Sequence, residues 1–260
     1  MELTLDILEW LDREPDLNVT DVAQRLDVDK STASRRLSML VKRGFVDRDA
    51  VTGRFCLGVK FIGLGQRVAK RLSIRSVAYP ILVKLRDEIN ESVELSLRRG
   101  MERVYIEVVE TTQALRRVLP LGVPIPLYPG SPGKVFMAYM TAEELAPILD
   151  NLGDTRFATG AVPDRASLEA ELRVVCETGV ATAYEEMFLG MGGMAFPVFD
   201  RNGEVAAVLG LAVPEVRLTP ERKQRCIEQG LAAAREVSAR LGFRESALSA
   251  GRLRPEVRIR

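Results

Sequence analysis

The chain has 260 residues, with 37 Lys and Arg against 36 Asp and Glu, a formal net charge of +1 and no histidine. That length suits two modest domains with separate cores, and the balanced charge excludes a global basic field, so any nucleic-acid binding must come from local patches. The lack of histidine excludes Ser-His-Asp and Cys-His catalysis and removes the commonest zinc ligand.

In chain order, Leu3, Leu5, Ile7, Leu8 and Leu11 have the spacing of a first helix, ended by the breaker run Glu14-Pro15-Asp16. Thr20 can cap a second helix whose inner face is Val22, Ala23 and Leu26. Asp27, Val28 and Asp29 then make a tight turn with Val28 buried, which predicts a helix-turn-helix. The third helix spans Asp29 to Gly44, with Asp29 as N-cap and Gly44 as the residue of positive φ beyond its end. Ala33, Leu37, Leu40 and Val41 form its inward stripe. The rest of its surface carries Lys30, Ser31, Thr32, Ser34, Arg35, Arg36 and Ser38, with no acid between Asp29 and Asp47. Such a face suits a groove lined by phosphates, although taken alone it also reads as a solvated polar surface. Phe45–Arg48 and Arg54–Leu57 read as two short strands joined at Gly53, completing a winged helix over residues 1–58. Arg48 and Arg54 of the wing would flank the recognition helix and can reach DNA backbone or minor groove.

Val59, Ile62, Val68, Ala69 and Leu72 then form a helical stripe, interrupted by Gly63 and Gly65, that predicts a linker helix over residues 59–73. Packing within one domain is the competing reading of that stripe. From residue 74 to 246 the pattern becomes α+β with an antiparallel sheet. Ile74, Ala78, Ile81, Leu82, Leu85 and Ile89 mark a helix, followed by strand alternation at Val93, Leu95, Leu97 and at Val104, Ile106, Val108, with Gly100 between them. Ser131 to Met140 reads as a helix with Ser131 at the N-cap and Pro132 at its first position. Thr141 to Glu144 is a capping box, and a further helix runs from Asp164 to Glu177 with Gly179 closing it. Strands are expected at 180–184, 193–199 and 205–212, the last hairpin turning at Asn202-Gly203. Thr219-Pro220-Glu221 opens a terminal helix reaching Leu241. Residues 247–260, with Arg252, Arg254, Arg258, Arg260 and Pro255, read as a short disordered basic tail.

Pro124, Pro126, Pro129 and Pro132 stiffen one loop that ends at a helix start, where free N–H groups favour an anion, and Gly190–Gly193 allows close approach by a ligand. Both also read as ordinary surface connections. Arg117, placed on a strand among apolar neighbours, can pair with a carboxylate or lie over the sheet with its charge in water. Glu185 and Glu186 are adjacent acids that a strand would send to opposite faces, a poor arrangement for acid-base work. No GxSxG, P-loop, Rossmann or metal-ligand motif occurs, so neither enzyme activity, a metal site nor a cofactor is expected. Cys56, Cys176 and Cys226 lack CxxC spacing and read as reduced thiols. With no signal peptide or bilayer-length apolar run, a cytoplasmic chain without membrane contact is expected.

Three motifs carry a family resemblance. Leu37–Gly58, LSMLVKRGFVDRDAVTGRFCLG, follows a Lys-Ser-Thr helix start; Gly122–Lys134 reads GVPIPLYPGSPGK and Gly192–Asp200 reads GGMAFPVFD. Together, in this order, they resemble the IclR family of bacterial and archaeal transcription regulators. The resemblance implies a winged helix reading double-stranded operator DNA, and a GAF-like or PAS-like domain binding a small-molecule effector such as an organic acid. It also implies a homodimer or dimer of dimers, with the linker and first helix in the dimer contact. Members that bind small oxo-acids carry an acid and a cysteine where this chain has Ala183 and Gly193. Tyr128 stands where histidine is common, and Pro132 cannot donate an N–H. The expected effector pocket is therefore lined by Ile125, Leu127, Ser131, Met191, Gly193 and Met194, more apolar than polar, with Arg117 as the carboxylate partner. The alternative is an enzyme or small-molecule-binding protein whose winged helix contacts protein only.

Overall fold

The structure is a computed structural model that describes residues 2–14, 16–71 and 73–244. It divides into two compact units, residues 1–72 and 73–260.

The first unit contains helices α1 (Glu2–Arg13), α2 (Val19–Leu26) and α3 (Lys30–Lys42), strands β1 (Val46–Arg48) and β2 (Phe55–Leu57), and helix α4 (Lys60–Arg71). Ile7, Leu11, Val22, Leu26, Ala33, Leu37, Leu40, Val46 and Phe55 close its core, with Val28 half-buried against them. The cap of α2 is Asn18 rather than Thr20. Asn18 Oδ1 accepts from the Thr20 and Asp21 amides at 2.8 and 3.1 Å, and the Asp21 carboxylate accepts from the Asn18 amide at 2.9 Å. That reciprocal pair satisfies more orphan donors than a hydroxyl inside the first turn can. Asp29 caps α3 as expected, accepting from the Thr32 amide at 2.9 Å. Val41 departs from the inward stripe and is exposed. At 3.6 residues per turn it lies about 80° round the helix from Ala33.

The wing pairs Val46 with Leu57 and Arg48 with Phe55, one residue shorter at one end of each strand than expected. Phe45 instead gives its amide to the Leu40 carbonyl, finishing the end of α3. The Phe55 amide donates to Leu17 at 2.9 Å, so the hairpin is tied to the segment leading into α2. In α4 the helix continues through Gly63 and Gly65. Val59, just before it, and Ile62 within it are exposed. The side chains of Val68 and Ala69, all of Leu72 and the 247–260 tail lie outside the described residues.

The second unit begins with α5 (Ser73–Ile89), β3 (Ser92–Arg99), β4 (Glu102–Val109), β5 (Pro124–Pro126), α6 (Ser131–Ala138) and α7 (Ala142–Asp150). It continues with α8 (Arg165–Thr178), β6 (Ala181–Tyr184), β7 (Met191–Phe199), β8 (Val205–Pro214) and α9 (Pro220–Arg240). The strands form one antiparallel sheet in the order β5-β4-β3-β8-β7-β6. The period-two pattern of β7 shows how the sheet is used. Met194, Phe196 and Val198 face a core closed by α5 and α9. Ala195 faces a second core closed by α6, α7 and α8. Helices therefore cover both faces, and the inner strands are apolar on both sides.

Some element boundaries shifted. Gly130, not Ser131, is the N-cap of α6, so Pro132 falls one position further in and the helix ends at Ala138. Residues 124–126, expected as part of the proline-stiffened loop, form edge strand β5, where the amide donor that proline lacks is not needed. Arg117 sits in irregular chain after β4 rather than on a strand.

α9 reaches the sheet at Gly230, where an added Cβ would stand 2.2 Å from Phe196 Cε2. Gly230→Ala should therefore destabilise the second unit by about 1–3 kcal/mol despite its gain in helix propensity. Urea unfolding checks this, and an unchanged midpoint would contradict the close contact.

Candidate functional site

Two surfaces need separate accounts, one in each unit. On α3, Lys30, Ser31, Ser34, Arg35 and Ser38 are exposed and Thr32 is half-exposed. Asp29 organises the first turn, receiving the hydroxyls of Ser31 and Thr32, which hold its carboxyl well below the ordinary range. The hydroxyl donors of these two residues are thus engaged within the protein, leaving their lone pairs as acceptors. Arg35 lies along the helix with Nε 3.3 Å from the Ser31 carbonyl. Arg36 turns away from this face and donates to Thr4 Oγ1 of α1 at 3.2 Å, its Nε buried without a partner. In the wing, Arg48 packs over Phe55 at 5.4 Å and reaches the Gly53 carbonyl. Arg54 donates to the Asp16 carbonyl at 2.7 Å, so its guanidinium is partly committed to the protein.

The second surface is a cleft at one end of the sheet, with about 40 Å³ of free volume. That is room for on the order of three waters. Its floor is built by Glu94, Tyr105, Ala183 and the Met191–Gly193 stretch, its wall by Gly130, Ser131 and Pro132 at the start of α6. Arg117, Glu186, Met187 and Phe188 close it from above. Two glycines leave room for polar groups. A Cβ at Gly210 would stand 2.5 Å from a Glu94 carboxylate oxygen, and one at Gly193 would stand 2.7 Å from Ser131 Oγ.

The lining is charged and buried. Glu94 is 3% exposed and its Oε2 has no hydrogen-bond partner. Burial pushes its carboxyl upward, while the charges of Arg117 and Arg103 and the Tyr105 hydroxyl draw it back. Arg103, fully buried, donates to Tyr105 Oη at 2.7 Å and to the Pro129 carbonyl at 3.2 Å. Arg117 stacks over Phe188 at 4.0 Å, and its Nε is buried without a partner. Behind the wall, the buried Lys134 ammonium donates to Glu186, to Glu171 at 2.7 Å and to the Thr182 carbonyl at 3.1 Å. The Gly130 amide donates to the other Glu186 oxygen at 3.0 Å, which joins the start of α6 to the β6–β7 loop. A larger hollow of about 450 Å³ between α8, β7 and α9 is lined by Tyr139, Phe199, Phe243 and aliphatic groups together with Glu177, Arg235 and Ser238. Among the described residues no cluster of three metal-ligating side chains occurs.

The model for the C-terminal domain of bacterial IclR transcriptional regulators matches residues 66–239, and the IclR helix-turn-helix model matches residues 4–50. The chain belongs to the IclR family. The HTH-type transcriptional regulator KipR of Bacillus subtilis is 29% identical over 240 residues, covering 92% of this chain and 96% of KipR. The HTH-type transcriptional repressor AllR of Salmonella typhimurium is 30% identical over 245 residues, covering 94% and 90% of the two chains. The crystal structure of IclR from Thermotoga maritima superposes with a TM-score of 0.80 at 29% identity, covering 92% and 97%. This chain is accordingly a transcription regulator and not an enzyme.

Within this IclR-type second unit, Arg117, Ser131, Met191 and Gly193 do come together in the cleft. The other effector candidates do not. Ile125 lies on edge strand β5, Leu127 is buried in the core beneath α6, and Met194 turns into the core under α5 and α9. The cleft is also more polar than expected: Glu94 and Tyr105 line it, with Arg103 and Lys134 buried behind, and none of the four was expected there. Glu94, Arg103 and Tyr105 stand on alternating strands at positions that read as outward, and Lys134 stands on α6 with no local sign of burial. Since helices cover both faces, the polar positions of β3 and β4 are buried too. Glu185 and Glu186 lie beyond the end of β6. The Glu185 carboxylate accepts from the Gly190 amide at 2.7 Å while Glu186 turns inward.

Lys134→Met should cost the second unit about 3–5 kcal/mol, because Glu186 would stay buried without its cation. Adding Glu186→Leu should recover most of that loss, and denaturant unfolding of both variants checks it. A single variant as stable as the parent would contradict the pairing.

Proposed function

We propose that α3 reads operator DNA from the major groove as one half of a homodimer, with Lys30, Ser34, Arg35 and Ser38 towards bases and phosphates and Arg48 on the backbone beside them. The cleft at Glu94 and Arg117 takes a small organic acid. What supports the DNA reading is the acid-free exposed face of α3 set beside the wing. Ser31 and Thr32 accept rather than donate in this scheme, and Arg36 positions α3 against α1. Arg54, tied to Asp16, braces the wing while its remaining N–H groups reach the backbone. A dimer follows from the small area a single recognition helix buries, since usable specificity needs two half-sites. The protein acts in the cytoplasm, and no helix among the described residues is long and apolar enough to cross a membrane. The single observation that carries the effector reading is a cleft lined by Glu94 and Arg117, each with one buried polar atom, Oε2 and Nε, that has no hydrogen-bond partner.

Binding of the acid acts on transcription only if it favours one placement of the two reading units over another. Selection of bound sequences from a random DNA pool at fixed salt should return a palindromic or repeated consensus. Arg35→Ala should weaken binding to that consensus by roughly 1–3 kcal/mol, about 5- to 150-fold, and relax specificity at one position. Uniform weakening on all sequences would reassign Arg35 to a phosphate. No consensus, with or without a metabolite mixture, would overturn the reading.

A further inference from the structure

The unpartnered polar atoms of the cleft set the chemistry of what fills it. A buried acceptor without a donor is costly, and native interiors rarely leave one unless a ligand or water supplies it. Glu94 Oε2 is such an atom, and the missing Cβ of Gly210 leaves room for its carboxylate. Arg117 Nε, with its guanidinium held over Phe188, is a buried donor without an acceptor, and both residues line one cavity. Lys134 does not contribute a free charge, because Glu186 and Glu171 take it up.

Around the cavity Glu94, Glu186 and Glu171 stand against Arg117, Arg103 and Lys134, so the charges cancel and the unpartnered atoms decide what fits. Arg117 Nε needs an acceptor, which a carboxylate supplies. A simple alkanoate leaves Glu94 Oε2 without a donor. A 2-oxo acid places a second acceptor against the Glu94 oxygens. The group that completes the cleft is a carboxylate that also carries a hydrogen-bond donor.

We propose that the effector is a small monocarboxylate that also carries a hydroxyl or amide N–H, its carboxylate on Arg117 and its donor on Glu94. This inference rests on the reading of the cleft as the effector site. It makes Glu94 the residue that separates hydroxy or amido acids from oxo and plain acids.

The test is a matched panel measured on the full chain by calorimetry and by its effect on binding to the selected DNA. Propionate, lactate and pyruvate, and butyrate, 2-hydroxybutyrate and 2-oxobutyrate, differ only in the second group. N-formylglycine and N-formylsarcosine differ by one N–H. In each set the donor-bearing acid should bind at least tenfold more tightly and shift DNA affinity. In Glu94→Gln, whose amide both donates and accepts, that preference should shrink towards unity while Arg117→Met loses all members alike. A thermal melt identifies any variant that fails to fold, and Glu94→Asp then serves in place of Glu94→Gln, with the preference expected to persist at lower affinity. If oxo or plain acids bind equally well or better, the donor inference is wrong and the effector reading stands. If no panel member binds or alters DNA affinity, both are overturned.

Discussion

The Lys134 ammonium is the interaction on which the second unit's cleft depends. A fully buried cation is tolerable only when its donors are all spent, and here two carboxylates and a carbonyl accept them. Those acceptors come from separate pieces of chain: Glu171 from α8, Thr182 from β6 and Glu186 from the loop beyond it. The Gly130 amide, four residues before the lysine, bonds to the same Glu186. The start of α6 and the β6–β7 loop are thereby held in one arrangement, and the cleft exists in the gap between them.

The sheet supplies the other half of the site. A one-sided sheet would have left Glu94, Arg103 and Tyr105 in water, where they would carry no information about a ligand. Covering both faces turns the polar positions of β3 and β4 into buried groups whose bonding must be completed. Some is completed within the protein, as where Arg103 meets Tyr105 and the Pro129 carbonyl. Glu94 and Arg117 each retain one unpartnered polar atom, and both residues line the cavity.

The fold was largely legible in the sequence because its signals are local. Apolar periodicity, the Asp29 cap, the Thr141–Glu144 capping box and the Asn202-Gly203 turn each act within a few residues and appear where expected. The exposed polar face of α3 was legible for the same reason, apart from Arg36, whose partner Thr4 is 32 residues away. The cleft was legible only in part. Ser131, Met191 and Gly193 belong to loops with visible proline and glycine signals, whereas Glu94 and Arg103 look like solvent-facing positions of an alternating strand. Nothing local states that a second layer of helices will cover them. Leu127 and Met194 failed in the opposite sense, being apolar residues near the right loops whose side chains the cores needed more.

The wing is bound to the body of the first unit at two points, through the Phe55 amide on Leu17 and the Arg54 guanidinium on Asp16. Both anchors lie in the segment that leads into α2, which in turn sets the start of α3. Hairpin and α3 are thus tied to the same segment of chain. On the proposed reading, a head tied together this way keeps the same letters when an effector binds elsewhere in the chain. In the proposed dimer, control then falls on the distance and phase between two such heads, so that the cell's chemistry edits the spacing of the message and leaves its alphabet alone.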